Sequence, residues 1–298
     1  MSKKPEFPHG VCLCIAYEGT DFHGWQAQAG LRTVQGTIEE AAAQMRLETT
    51  PLLACSRTDA GVHALGQLAS FRSRFEVPPQ GWIHGLNAVL PRDVVILDAK
   101  PCYYRYNPRF HSRSKRYRYV IRCARYRDPL IRNRVWHLTP NYARRGLGHE
   151  RRDRVEDYLD LEAMRDAARH MVGSHDFHAF RAASDERETS VRTMFSVELL
   201  PLYEGRPEQL AIEVRGSAFM KNMVRIMVGT LVEVGRGQLT ADAVRGMLQP
   251  GAERRDAGQT APARGLSLVE IELSRFDGPA DLLGRPSKGE PPSPSGGL

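Results

Sequence analysis

Between Lys115 and Cys123 the chain alternates with a period of two. Lys115, Tyr117, Tyr119, Ile121 and Cys123 fall on one side of an extended segment, and Arg116, Arg118 and Arg122 on the other. A repeat of two belongs to a strand, so the fold contains a sheet in which Tyr117 faces the interior or a cleft beside it. Further strands are predicted over residues 11–17, 52–55, 65–71, 94–97, 190–200, 209–215 and 266–271. Helical spacing links Val34, Ile38, Ala41, Ala42 and Met45, and later Leu161, Met164, Ala168, Met171 and Val172. Helices are also predicted over 82–90, ahead of Pro91, and over 218–234 and 240–248. Thr37 and Glu40 have the spacing of a capping box near the first helix start.

These elements mix without a regular strand–helix–strand rhythm, which favours α+β over a doubly wound parallel sheet. A chain of 298 residues exceeds the usual single domain, so two α+β halves are expected, residues 11–104 and 105–275. Their antiparallel or mixed sheets are expected to join into a central sheet flanked by helices, with a cleft between the halves. Residues 1–10 read as a flexible start. Residues 141–160, charged and without apolar periodicity, read as an exposed insertion, and 276–298, rich in Pro, Gly and Ser, as a disordered tail.

No apolar run approaches the ~20 residues that span a bilayer, and no secretory apolar segment follows the first lysines, so a cytoplasmic protein without a membrane partner is expected. The five cysteines are odd in number and lack C-x-x-C spacing, which predicts reduced thiols and no zinc site. His175 and His178 have metal-like spacing but no further ligands, so no metal is assigned to them. The net charge of +7 fits a polyanionic partner, and its distribution says more. Residues 99–127 hold ten Lys or Arg and no Asp or Glu, interleaved with Tyr103, Tyr104, Tyr106, Phe110, Tyr117, Tyr119 and Tyr126. Cations that meet phosphate, beside rings that stack on unpaired bases, suit RNA or single strands. The same stretch also reads as a solvated strand face.

Two residues stand out as candidate chemistry. Asp59 sits in a loop between two short apolar runs, where a lone Asp is ordinary turn chemistry unless its neighbours say otherwise. Arg225 lies between Val224 and Ile226 in a strongly apolar segment, and an Arg there needs an anion or must snorkel to the surface. On a helix, Asn222 and Arg225 share a face.

Taken together, a series of segments resembles the signatures of one known family. Tyr17-Glu18-Gly19-Thr20-Asp21-Phe22-His23-Gly24-Trp25-Gln26-Ala27-Gln28 resembles the family's opening, and Thr33-Val34-Gln35-Gly36 its next signature. Arg57-Thr58-Asp59-Ala60-Gly61-Val62-His63-Ala64 resembles its catalytic loop, the most specific of the motifs. Leu86-Asn87-Ala88-Val89-Leu90-Pro91-Arg92-Asp93, Tyr106-Asn107-Pro108-Arg109-Phe110 and Lys115-Arg116-Tyr117-Arg118-Tyr119 follow in order. Gly173-Ser174-His175-Asp176-Phe177, Phe219-Met220-Lys221-Asn222-Met223-Val224-Arg225 and Ala261-Pro262-Ala263-Arg264-Gly265-Leu266 complete the series. Ser56, Met220 and His111 depart from the family's usual Gly, Leu and Ser.

On these segments the chain is similar to the tRNA pseudouridine synthase A family along nearly its whole folded length. The resemblance implies an isomerase of the pseudouridine synthase fold, a homodimer binding tRNA across both subunits. It would convert uridine to pseudouridine at positions 38, 39 and 40 of the anticodon stem-loop with no cofactor. It assigns catalytic roles to Asp59, to Arg225 as its partner and to Tyr117 stacked on the uracil. Substrate contacts are expected from Tyr117, Arg57, His63, Gln67, Lys115, Arg109 and Asn222. A neighbouring guanidinium should favour the ionised Asp59 against desolvation. Two alternatives from other classes are a catalytically silent RNA-binding protein and a hydrolase with an Asp nucleophile. The hydrolase lacks a recognisable partner carboxylate at the motif or a metal-binding Asp pair.

Overall fold

The computed structural model describes residues 6–103, 106–139, 153–202 and 205–274. The proposed tail, residues 141–152 of the proposed insertion and residues 1–5 of the proposed flexible start lie outside these residues, whereas His9 and Gly10 of that start are ordered in a strand.

Among the described residues, ten strands form a single mixed sheet with its helices packed against it. The first half contributes β1 (His9–Tyr17), α1 (Val34–Gln44), β2 (Leu53–Ala54), β3 (His63–Ser73), α2 (Pro79–Val89) and β4 (Val94–Cys102). The second contributes β5 (Ser112–Cys123), β6 (Trp136–Leu138), α3 (Leu161–His170), β7 (Gly173–Asp176), β8 (Val191–Pro201), β9 (Gln209–Gly216), α4 (Met223–Gly235), α5 (Ala241–Gly246) and β10 (Leu266–Leu273). The strand order is β4-β1-β3-β10-β5-β9-β8-β7, with β2 on β3 and β6 on β5. The last strand returns to the centre, antiparallel to β5 and parallel to β3 at Ser267 opposite His63 and Leu268 opposite Ala64. This joins the two halves into the α+β arrangement expected, and brings the loop before β3 beside the loop before β10.

Local chemistry explains most boundaries. Helix α1 is capped by Thr33, whose hydroxyl accepts from the Gly36 N–H at 3.3 Å, and not by the Thr37–Glu40 box. It buries Val34, Ile38, Ala41 and Ala42. Pro79 starts α2, which buries Trp82 and Leu86. Asp160 and Thr240 cap α3 and α5 through Ala163 and Ala243. Helix α4 is buried on nearly every side and forms the second half's core, each large apolar side chain contributing about 1.5–3 kcal/mol.

Three expectations need correction. Residues 218–222 are not helical, because Asn222 takes a left-handed backbone (φ 59°) and α4 begins after it. Residues 153–160 are anchored to the fold, since Val155 and Leu159 are buried and Asp153 accepts from the Arg125 N–H and the Tyr158 hydroxyl. The cationic face of β5 is also largely neutralised within the sheet. Glu213 of β9 receives Arg116 at 3.1 Å and Arg118 at 2.6 Å, and Glu270 of β10 receives Arg116 at 2.9 Å.

Candidate active site

The loop carrying Asp59 is held from below by groups that come from far along the chain. The Gln67 side chain, wholly buried, bonds both the N–H and the C=O of Ser56, standing in for a missing strand partner. The Tyr17 hydroxyl meets Thr58 Oγ1 at 2.7 Å, and the Thr58 carbonyl accepts from the Trp25 N–H at 3.1 Å. At Gly24 (φ 90°) a Cβ would stand 2.8 Å from that carbonyl, so the opening motif needs glycine where it crosses the loop. Gly61 (φ 77°) then turns the chain into β3.

Asp59 lines a cavity of about 310 Å³, within the range of small-molecule sites. One wall is the loop 56–59. A second is Tyr117 of β5, its ring packed edge-on against Phe219 at 5.1 Å and its hydroxyl 2.9 Å from Ser56 Oγ. The third is made by residues 184–187 and 219–222. The start of α4 brings Arg225 to Asp59, with Nη1 3.9 Å from Oδ2. That distance is charge pairing, not a direct hydrogen bond. The guanidinium donates instead to Asn222 Oδ1 at 2.8 Å and, through Nε, to the Ala261 carbonyl at 2.7 Å.

Electrostatics at Asp59 run against the simple expectation. Burial raises its pKa and prevails, although Arg225, the Asn222 backbone N–H, Lys221 and Arg187 all pull it down. Arg225 is itself pushed down by burial, opposed by Asp59 and Tyr119. Burial raises the Tyr117 phenol too, so the ring offers a neutral, apolar face.

Of the residues predicted from sequence, the cavity gathers Asp59, Tyr117, Arg57 and Asn222, with Arg225 directly behind Asp59. His63, Gln67, Lys115 and Arg109 are not among its lining residues. His63 is buried, with Nδ1 accepting from the Gly19 N–H at 2.9 Å and Nε2 between the Asn133 and Arg264 carbonyls at 2.9 and 3.0 Å. Lys115 is buried, with a pKa lowered by desolvation and further by Arg109, against the opposing effect of Cys55. Arg109 is exposed.

Sequence reasoning missed Asp185, Glu186 and Arg187, which line the same cavity. Asp185 accepts from the Lys221 N–H at 2.8 Å, the Arg187 N–H at 3.2 Å and Arg187 Nη1 at 2.9 Å. Burial raises its pKa, but those bonds prevail and hold it below the usual carboxylate value. Glu186 is exposed. The available signal was the acidic pair Asp185-Glu186 next to Arg187, in a segment with no strong helix or strand pattern.

A family model described as tRNA pseudouridine synthase matches residues 13–111 and 167–273. The tRNA pseudouridine synthase A of Geotalea uraniireducens is 45% identical over 261 residues, which is 88% of this chain and 98% of the relative. The protein of the same name from Acetivibrio thermocellus is 40% identical over 261 residues, with 88% and 98% covered. That of Geobacter sulfurreducens is 41% identical over 264 residues, with 88% and 99% covered.

Proposed function

The chain belongs to the family of tRNA pseudouridine synthases, and from that premise we propose that it isomerises uridine to pseudouridine in tRNA with Asp59 as the catalytic carboxylate. The reaction breaks the bond from C1′ to N1, turns the uracil over and joins C1′ to C5. The C5 proton is lost and N1 gains one, so atoms balance with no redox change and no group donor. No cofactor is needed.

The observation that carries the reading is the Asp59 carboxylate, 3.9 Å from Arg225, in a cavity whose other wall is the ring pair Tyr117 and Phe219. The Tyr117 ring, held edge-on by Phe219, offers an apolar face for a uracil, and the carboxylate lies within the same cavity. Asp59 can attack C1′ or C6, or stabilise positive charge at C1′. Each route uses the ionised form, which Arg225 favours through its field. A stacked uridine must be extruded, at a cost of a few kcal/mol, and exposed Arg57 on the cavity wall is suited to hold the RNA beside the flipped base.

The proposed targets are uridines 38, 39 and 40 of the anticodon stem-loop, bound by a homodimer across both subunits in the cytoplasm. The test is chemical mapping of pseudouridine in an unmodified tRNA transcript, incubated without cofactor with wild type or Asp59→Asn. Modification at these positions by wild type alone is the expected result. Tight binding without pseudouridine from either protein supports a silent RNA-binding protein, and release of free uracil supports a hydrolase.

A further inference from the structure

We infer that Asp185 is a positioning residue for Asp59: it latches the 181–187 loop to the 217–222 loop and thereby sets the Asn222 N–H and the Arg187 guanidinium at the carboxylate. The importance of this latch for turnover rests on the reading of Asp59 as the catalytic carboxylate.

The Asp185 side chain is 4% exposed, and a carboxylate so enclosed persists only where donors surround it. Two of its three bonds are local. The bond to the Arg187 N–H is an ordinary turn contact across two residues, which such a loop makes for itself. The bond to the Lys221 N–H spans 36 residues and has no local reason. The Lys221 carbonyl in turn accepts from the Ala182 N–H at 3.2 Å, so Lys221 is pinned on both sides to the opposite loop.

The next residue is Asn222, which takes the left-handed backbone that asparagine tolerates better than most side chains, between the pinned Lys221 and the start of α4. In that conformation its N–H acts on Asp59 while its Oδ1 receives Arg225 Nη1 at 2.8 Å. Arg187 is bound by the same carboxylate and also donates to the Phe219 carbonyl at 3.2 Å, below the ring that meets Tyr117. One buried anion therefore organises two of the groups around Asp59 and the loop that carries Phe219. The charged and titratable groups bearing on Asp59 are Arg225 from α4, Lys221 from the preceding loop, Arg187 from the 181–187 loop and Tyr117 from β5.

The test is a ¹³C NMR titration of the Asp59 carboxyl, assigned by its loss in Asp59→Asn, in wild type, Asp185→Asn and Arg187→Gln. Pseudouridine formation is measured alongside. In Asp185→Asn the Asp59 midpoint moves to higher pH, because the Asn222 N–H and Arg187 are both released. Arg187→Gln, altered at a half-exposed side chain, moves it the same way by less. For Asp185→Asn, kcat falls about ten- to hundredfold while KM for tRNA stays within about threefold, and the acid limb of the kcat profile shifts up. Midpoint and kcat unchanged in both folded variants overturn the inference. If Asp185→Asn does not fold, Arg187→Gln decides by the same readouts. A wild type that makes no pseudouridine, with the midpoint shift present, removes the functional reading and leaves the latch supported.

Discussion

Arg225 pairs with Asp59 by charge and not by hydrogen bond. Its Nη1 stops 3.9 Å from Oδ2 because that nitrogen is committed to Asn222 Oδ1, and Nε is committed to the Ala261 carbonyl. Coulomb attraction decays only as the inverse of distance, so the pairing survives a gap that would abolish a hydrogen bond. The carboxylate is favoured electrostatically without being capped by the guanidinium.

Replacing Arg225 by Met removes the foremost of the groups that oppose the desolvation of Asp59. The sign follows: the Asp59 pKa rises further, and the ionised fraction is lost from the acid side. We expect kcat at neutral pH to fall about a hundredfold and the acid limb of the kcat profile to move to higher pH. Arg225→Lys keeps the charge but not the fork, and should fall between the two. A wild-type acid limb in Arg225→Met would show that the field of this residue does not matter. Rate profiles across pH for the three proteins decide it.

The parts of this architecture legible in sequence were those fixed by near neighbours. The alternation of β5 is local, and it gave Tyr117 its orientation. Arg225 was visible as a charge out of place in an apolar segment, whereas Asp59 alone read as ordinary turn chemistry and stood out only through the resemblance of its loop to a family motif. What escaped was set across the sheet or between loops. Glu213 lies 95 residues from Arg118 in the chain and Glu270 lies 154 from Arg116, so these two cations, in a run without local acids, looked free when they are paired. Asp185 acts on Lys221, 36 residues on. The apolar Phe219 and Met220 suggested an earlier helix start, whereas they line the cavity. His63 and Gln67 looked like substrate contacts because motifs preserve residue types without saying whether they face the ligand or the fold.

The paired face of β5 predicts a stability effect that depends on pH. Glu213, with a side chain 11% exposed, receives both Arg116 and Arg118. Burial raises its pKa, but the bonds from Arg118 and then Arg116 outweigh it and hold the carboxyl below its usual value of 4.5. A depressed pKa stabilises the fold above the unfolded value, and that stability is lost as pH falls through the folded value. Glu213→Gln is therefore expected to cost about 1–3 kcal/mol at pH 7 and progressively less below 4.5. Urea unfolding at both ends of this range measures it. A constant cost would assign the effect to packing.

Tyr117 separates ring from hydroxyl. Tyr117→Phe removes only the bond to Ser56 Oγ, at about 0.5–1.5 kcal/mol of stability, and keeps the wall against Phe219. Its kcat is expected within about tenfold of wild type, since no step proposed here uses the phenol proton. Tyr117→Ala opens the wall, costs about 3–5 kcal/mol by analogy with other large buried rings, and is expected to abolish turnover. Equal losses in the two variants would mean that the hydroxyl takes part in the chemistry.

Asp59→Asn should remove activity and at the same time stabilise the protein near neutral pH. Burial raises the folded-state pKa of Asp59 despite the four groups that lower it, so the native state binds this proton more readily than the unfolded chain. For a carboxyl with a raised pKa, the stabilisation is fully present below the unfolded value and is lost as pH rises through the folded value. At neutral pH the wild type therefore carries a desolvated charge, which the amide removes while keeping the shape. The remaining polar contacts of Arg225, to Asn222 and Ala261, do not involve Asp59 and persist in the variant. Thermal unfolding of both proteins should give the variant a higher Tm at pH 7, with the difference shrinking as pH falls and the wild-type carboxyl protonates. A lower Tm at pH 7 would mean that the attraction to Arg225 outweighs the cost of burying the charge.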